Sequence, residues 1–415
     1  MRVFNILATI LLLVASLPIV AMTDGNDSIS KGRWSIQAAA NVSHMSHGDE
    51  EMQKFLHSYT VNYYDLRLKW RASEHTTDPY DKAMGRPYIM GGLMYADYSR
   101  LNIQRPESEK RSAVEQIITL YGGVQYDILH AGRWTVDVDL VNGVGYCPHP
   151  YNKRKNRDQE IIGSQFSFFI GGGAHVGYNV SPQWRISAGL DLRHYSNGTL
   201  DRPNIGANTV GGTVAVCYNF GGENERIRER GSESERKRED EVTSDDSPNE
   251  IYLEATAGMA MKALKDNFKL YHESHNALYG SFTTMVAPMW RYHRLHASGI
   301  GLDYTYANYV YKIRNLDAIN GDMERKYSPH ILGLSLRHEV FYKHMSANAG
   351  MGVYLNKHTG HSAAKHEGKT YQTIGLRYNL PFTNDRLFVG YTIKAHNFSK
   401  VDCVQFLTGY RIKLK

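Results

Sequence analysis

Cysteine is scarce in this chain of 415 residues, which has only Cys147, Cys217 and Cys403. Three scattered thiols cannot build a disulfide framework, since any pairing leaves one over. None has metal-ligand spacing, so neither a metal nor another cofactor is expected. All three read as structural, with Cys217 a small inward-facing residue. Long apolar runs are lacking too: beyond the N-terminus, no stretch approaches the roughly 20 continuous apolar residues that a membrane-spanning helix needs. No run of interleaved basic and aromatic residues marks a nucleic-acid surface. The formal net charge of +6, with a pI near 8.9, is modest.

The N-terminus carries a secretory signal pattern. Arg2 supplies the positive end, residues 6–14 the apolar core, and Ala21 a small residue at a plausible cleavage site. The alternative, a membrane anchor over residues 3–21, is short and is broken by Pro18. Elsewhere, 29 Tyr and 37 Gly accompany a mean hydropathy of -0.47. That mixture fits alternating strands with aromatic girdles at the membrane interfaces, not a helical membrane protein.

Residues 221–250 are almost wholly polar, without an apolar period, and read as a charged linker; a helix studded with opposite charges is the alternative. Before the linker, period-two alternation places eight strands near 33–45, 60–72, 88–100, 116–129, 134–146, 161–179, 184–196 and 209–220. After it come eight more, near 251–262, 277–292, 295–311, 328–342, 345–355, 370–380, 387–396 and 404–413. In the fifth strand Trp134, Val136, Val138 and Leu140 share one face, and Thr135, Asp137 and Asp139 the other. Inward carboxylates fit the polar interior of a small outer-membrane barrel. Short and long connections alternate, as periplasmic turns and external loops do; the link near 73–87 breaks this rhythm by being long. The expected fold is all-β and antiparallel. It is two tandem eight-stranded barrels over 22–220 and 251–415, or else one sixteen-stranded barrel. The finish Tyr218-Asn219-Phe220 looks like a closing strand and favours two.

The most informative stretch is 190–220, LDLRHYSNGTLDRPNIGANTVGGTVAVCYNF. Trp184, Ile186, Ala188, Leu190 and Leu192 fall on one strand face, and His194 and Ser196 continue that row. Val210, Val214, Val216, Tyr218 and Phe220 share a face of the next strand, and Asn208 has their parity. A potential base and nucleophile thus sit on the greasy face of a hairpin, near its external end.

The pattern HYSNG, then PN-x-G-x-N and an alternating strand ending in an aromatic, resembles the outer-membrane lipid A 3-O-deacylase family, and in particular its larger Bacteroidetes-type members known as acyloxyacyl hydrolases. A weaker resemblance covers residues 387–412. The resemblance implies an outer-membrane serine esterase acting on lipid A, with His194 as base and Ser196 as nucleophile. The family's third, acidic residue falls on Asn208, where this chain carries an amide. Asn208 orients the histidine through its carbonyl oxygen in this reading, with Asp201 an alternative source of charge. Backbone N–H groups of the Asn197-Gly198 turn are candidate oxyanion donors. Lipid A, or lipopolysaccharide, and the outer membrane are the implied partners; nucleic acid is not one. A non-catalytic barrel that binds lipopolysaccharide or serves structure is the second reading, and a phospholipase the third. The second half shows no counterpart of His-x-Ser. His396 points to the interior by parity, and His338 and His344 read as strand-end or girdle residues.

Overall fold

The computed structural model describes residues 33–46, 56, 58–73, 76–101, 103–106, 108, 110–220, 248–265, 278–397 and 400–415. The expected signal segment 1–21 and residues 221–247 of the expected linker lie outside the described residues. The described strands form two closed antiparallel barrels of eight. The first holds β1 (Arg33–Ser46), β2 (Thr60–Arg71), β3 (Tyr88–Tyr98), β4 (Glu115–Ala131), β5 (Trp134–Tyr146), β6 (Phe166–Asn179), β7 (Trp184–Ser196) and β8 (Ala207–Phe220). The second holds β9 (Glu250–Ala263), β10 (Leu278–Arg291), β11 (His296–Ala307), β12 (Ser328–Tyr342), β13 (Met345–His358), β14 (Thr370–Asn379), β15 (Leu387–His396) and β16 (Lys400–Lys413).

Each barrel closes within its own half of the chain. β1 pairs with β8 from Trp34↔Phe220 to Ser46↔Asn208, and β9 with β16 from Tyr252↔Lys413 to Met261↔Val404. This closure rules out the sixteen-stranded alternative. The strand ladder satisfies backbone N–H and C=O groups internally, as lipid demands of any spanning sheet.

Side chains alternate inside out relative to a soluble protein. Along β7, Trp184, Ile186, Leu190 and Leu192 are 48–65% exposed, whereas Arg185, Asp191 and Arg193 are buried. Buried charges are costly unless paired, and these three are paired. Arg67 bridges Asp65 and Asp139, and Arg185 pairs with Asp137. His175 lies 3.1 Å from both Asp137 and Asp191, and Arg193 2.7 Å from Asp191. In the second barrel Arg377 and Arg411 each contact Glu254 and Glu339, at 2.7–3.3 Å. An apolar plug that includes Tyr63, Tyr98, Phe169, Tyr195, Ile161 and Ile162 fills the first barrel's interior towards its long-loop end.

Three local differences from the sequence reading have physical causes. β6 begins at Phe166, not near 161, because Ile161 and Ile162 are successive and both fully buried, which a two-residue period forbids. A bulge between Asp127 and Leu129 leaves Ile128 and Leu129 both exposed and lengthens β4. The long link at 73–87 carries a short helix, α1 (Pro79–Ala83), where Asp78 accepts hydrogen bonds from the N–H groups of Tyr80 and Asp81 at 2.8 and 3.1 Å. Two further helices sit in loops of the second barrel, α2 (Val310–Asn320) and α3 (His361–Ala364).

Neighbours on β7 should therefore fail for opposite reasons. Leu190→Arg places a charge on the lipid face near mid-strand and should cost about 2–4 kcal/mol. Asp191→Ala strips Arg193 of its carboxylate and His175 of one of its two, and should cost about 3–5 kcal/mol. Denaturant unfolding of the bilayer-inserted protein reads both, and an unaltered midpoint for Leu190→Arg would show that this face does not meet lipid.

Candidate active site

The site grows from the register of one hairpin. His194 in β7 stands directly opposite Asn208 in β8, and the period of two puts both on the outward face. There the His194 Nδ1 and Asn208 Oδ1 are 2.6 Å apart. An amide oxygen only accepts, so Nδ1 carries the hydrogen and Nε2 keeps its lone pair. Beneath them Tyr195 points inward, its ring 5.0 Å from that of Phe169 and its hydroxyl 2.7 Å from Thr119 Oγ1, so the lumen plug anchors the strand end.

Ser196 has the parity of His194, but its surroundings differ from the sequence reading. The exposed apolar row stops at Leu192; His194 is half-buried, and Ser196 is only 7% exposed. Asn204, just ahead of β8, reaches back to the strand end. Asn204 Nδ2 donates to Ser196 Oγ at 2.8 Å, while Asn204 Oδ1 accepts from the Asn197 N–H at 3.1 Å. That second bond occupies the Asn197 N–H expected to serve an oxyanion. Asn204 was visible in the PN-x-G motif, yet nothing in a linear reading marks its amide as the group that reaches the serine.

The loop before β8 is fixed on its far side as well. The N–H groups of Ile205 and Gly206 donate to the carbonyls of Glu160 and Ile161 at 3.1 and 3.0 Å. Gly206 has a φ of +84°, and a Cβ there would lie 3.1 Å from the Tyr195 carbonyl oxygen and 3.2 Å from His194 Cε1. Only glycine meets both conditions. Gly198 also has a positive φ, of 63°. Asp201 lies in this loop and accepts from the Arg202 N–H at 2.8 Å.

In the second barrel, one outward histidine near the long-loop end is His330. Tyr304 holds its Nδ1 at 2.8 Å, but the nearby Ser328 Oγ accepts from the His330 backbone N–H at 3.2 Å and so serves a local turn. His396 is 1% exposed, with Nδ1 2.9 Å from the Thr370 carbonyl oxygen. His338 stacks on His296 at 5.5 Å, and His344 lies 2.8 Å from Asp385. Among the described residues, Asp139, His175 and Asp191 bring ligand atoms within 4.8 Å of one another, but Arg67 and Arg193 engage these carboxylates in the salt-bridge lattice of the lumen.

All three cysteines are free and buried. Burial pushes the Cys147 thiol, just beyond β5, up to about 12. Iodoacetamide at pH 8 should leave it unmodified in the folded barrel and alkylate it once the chain is denatured, with peptide mass spectrometry as the readout; rapid labelling of folded protein would contradict the burial.

Residues 53–216 match the family model described as lipid A 3-O-deacylase, and residues 251–414 the model described as acyloxyacyl hydrolase, C-terminal domain. Among solved structures, the outer-membrane enzyme PagL is 16% identical, over 44% of this chain and 97% of its own, with a TM-score of 0.27. Neisserial surface protein A is 13% identical, over 45% of this chain and 96% of its own, with a TM-score of 0.26. No curated protein matches the sequence.

Proposed function

This chain belongs to the lipid A 3-O-deacylase family, and from that premise we propose that it is an outer-membrane esterase that removes an ester-linked acyl chain from lipid A through His194 and Ser196. The observation that carries this reading is the 2.6 Å contact between His194 Nδ1 and Asn208 Oδ1. It orients the imidazole and leaves Nε2 as the base, on the face that Ser196 shares.

Ester cleavage then runs as follows. His194 Nε2 takes the proton of Ser196 as Oγ bonds to the acyl carbonyl carbon. The tetrahedral oxyanion needs donors, and Asn204 Nδ2, already at Ser196 Oγ, is the side chain best placed to turn to it. The carbon–oxygen bond of the ester breaks, and His194 returns the proton to the leaving alkoxide. Water, deprotonated by the same imidazole, releases the acyl chain and restores Ser196. Asn208 stabilises the imidazolium less than a carboxylate would; in serine proteases the acid-to-amide change costs on the order of 10⁴ in kcat, although Asn is the working partner in papain-like enzymes. That neutral partner, together with a second half that shows no counterpart of the HYSNG motif, favours a non-catalytic barrel that binds lipopolysaccharide.

Ser196→Ala and His194→Asn should each abolish acyl release from purified lipid A while the barrel still assembles, because base and nucleophile act as a unit. Unchanged deacylation by Ser196→Ala would refute the assignment. Asn208→Glu should raise the rate and Asn208→Ala lower it; equal rates from all three forms would reduce Asn208 to a turn residue and point to another orienting group.

A further inference from the structure

The loop between β5 and β6 carries the run Asn152-Lys153-Arg154-Lys155-Asn156-Arg157. Its four cations are all exposed. The turn that presents them is built rather than loose. Asn156 is 8% exposed; its Nδ2 donates to the carbonyls of Ala113, His149 and Pro150 at 2.9–3.2 Å, and its Oδ1 accepts from the Ala113 N–H at 3.0 Å. Asn152 Oδ1 accepts from the N–H groups of Arg154 and Lys155, both at 3.0 Å. The carboxylates that follow in sequence are turned away from the tip. Asp158 is 1% exposed and accepts from the Arg105 N–H, and Glu160 is ion-paired with the Arg105 guanidinium at 3.1 Å. Lys110 and Arg111, on the adjoining β3–β4 loop, are also exposed. Asp158 and Glu160 are thus turned inward or paired, while the side chains of the four basic residues are exposed.

The same segment touches the candidate site. Glu160 and Ile161, just after the cationic turn, accept the hydrogen bonds of Ile205 and Gly206, and Gly206 lies against His194. The turn therefore stands on the wall that holds Ile205 and Gly206 beside His194, at the same end of the barrel.

We propose that Lys153, Arg154, Lys155 and Arg157 form an anion-binding surface for the phosphate groups of the lipid A head, which positions the acyl ester at Ser196. This rests on the deacylase reading for its substrate, but not for its test. Guanidinium and ammonium groups pair well with phosphate oxygens, and at the membrane surface such contacts weaken as salt rises. Prefixing the turn lowers the ordering cost of binding.

The test uses the full chain, refolded in phosphatidylcholine vesicles and carrying Ser196→Ala so that nothing is turned over. Its affinity is measured for fluorescent lipid A with and without its phosphates, at low and high sodium chloride. A second protein adds Lys153→Gln, Arg154→Gln, Lys155→Gln and Arg157→Gln; heat-dependent electrophoretic mobility verifies that it is folded. The parent should prefer the phosphorylated lipid by about tenfold, and the preference should vanish in the fourfold variant and shrink with salt. Asn156→Ala, which keeps every charge but releases the turn, should lose part of it. An equal preference in parent and fourfold variant, or none in the parent, would overturn the proposal. Displacement by inorganic phosphate beyond that by chloride of equal ionic strength would also overturn it, by making the turn a general anion site. Acyl release by the wild-type protein is read separately, so failure of the esterase reading leaves this result intact.

Discussion

Lipid offers the backbone no hydrogen-bond partner, and the rest of the molecule follows from that deficit. A sheet can cross such a medium only if its first and last strands meet. Here they meet twice, through β1 with β8 and β9 with β16. Closure makes each wall two-faced: one side must be apolar for lipid, and the other is free to be polar provided its charges are matched. The lattices around Asp137, His175 and Asp191, and around Glu254 and Glu339, are that matching.

The same geometry explains why chemistry can appear on the outside. In a small barrel the lumen is filled by paired charges and aromatic rings and has no room for a two-faced lipid. The outward face meets lipid directly, and a polar group survives there only at the strand ends, within reach of water. His194 and Ser196 stand at that boundary, with the Asn204 amide bonded to the serine and a neighbouring-strand amide holding the histidine.

The fold was largely legible in the chain because a two-residue period is a local property. The exposed row Trp184, Ile186, Leu190 and Leu192, the inward acids of β5 and the shared face of His194 and Asn208 all follow from parity. The failures share one cause. Ile161 with Ile162, the bulge at Asp127, and the cover over Ser196 all arise where the chain leaves the two-residue period, and there side-chain placement depends on long-range packing. Asn204 is the clearest case: its amide reaches Ser196 only because Ile205 and Gly206 are pinned to Glu160 and Ile161, more than 40 residues earlier.

The pairing of Trp34 with Phe220 bears on how the molecule is made. Until β8 exists, β1 has an open edge that lipid will not tolerate, so the first wall can insert only as a completed ring. Chain entropy alone would not have demanded two rings, since doubling a loop adds only about 0.6 kcal/mol. What the division changes is dependence. Each ring waits for its own eighth strand and no other, so a nascent chain that has reached Phe220 already carries everything the first closure requires. A lesion in β16 leaves β9 and β15 each with one open edge while the ladder of the first ring is untouched. Closure is therefore partitioned along the chain: a fault late in the polypeptide opens the ladder of one ring, not both.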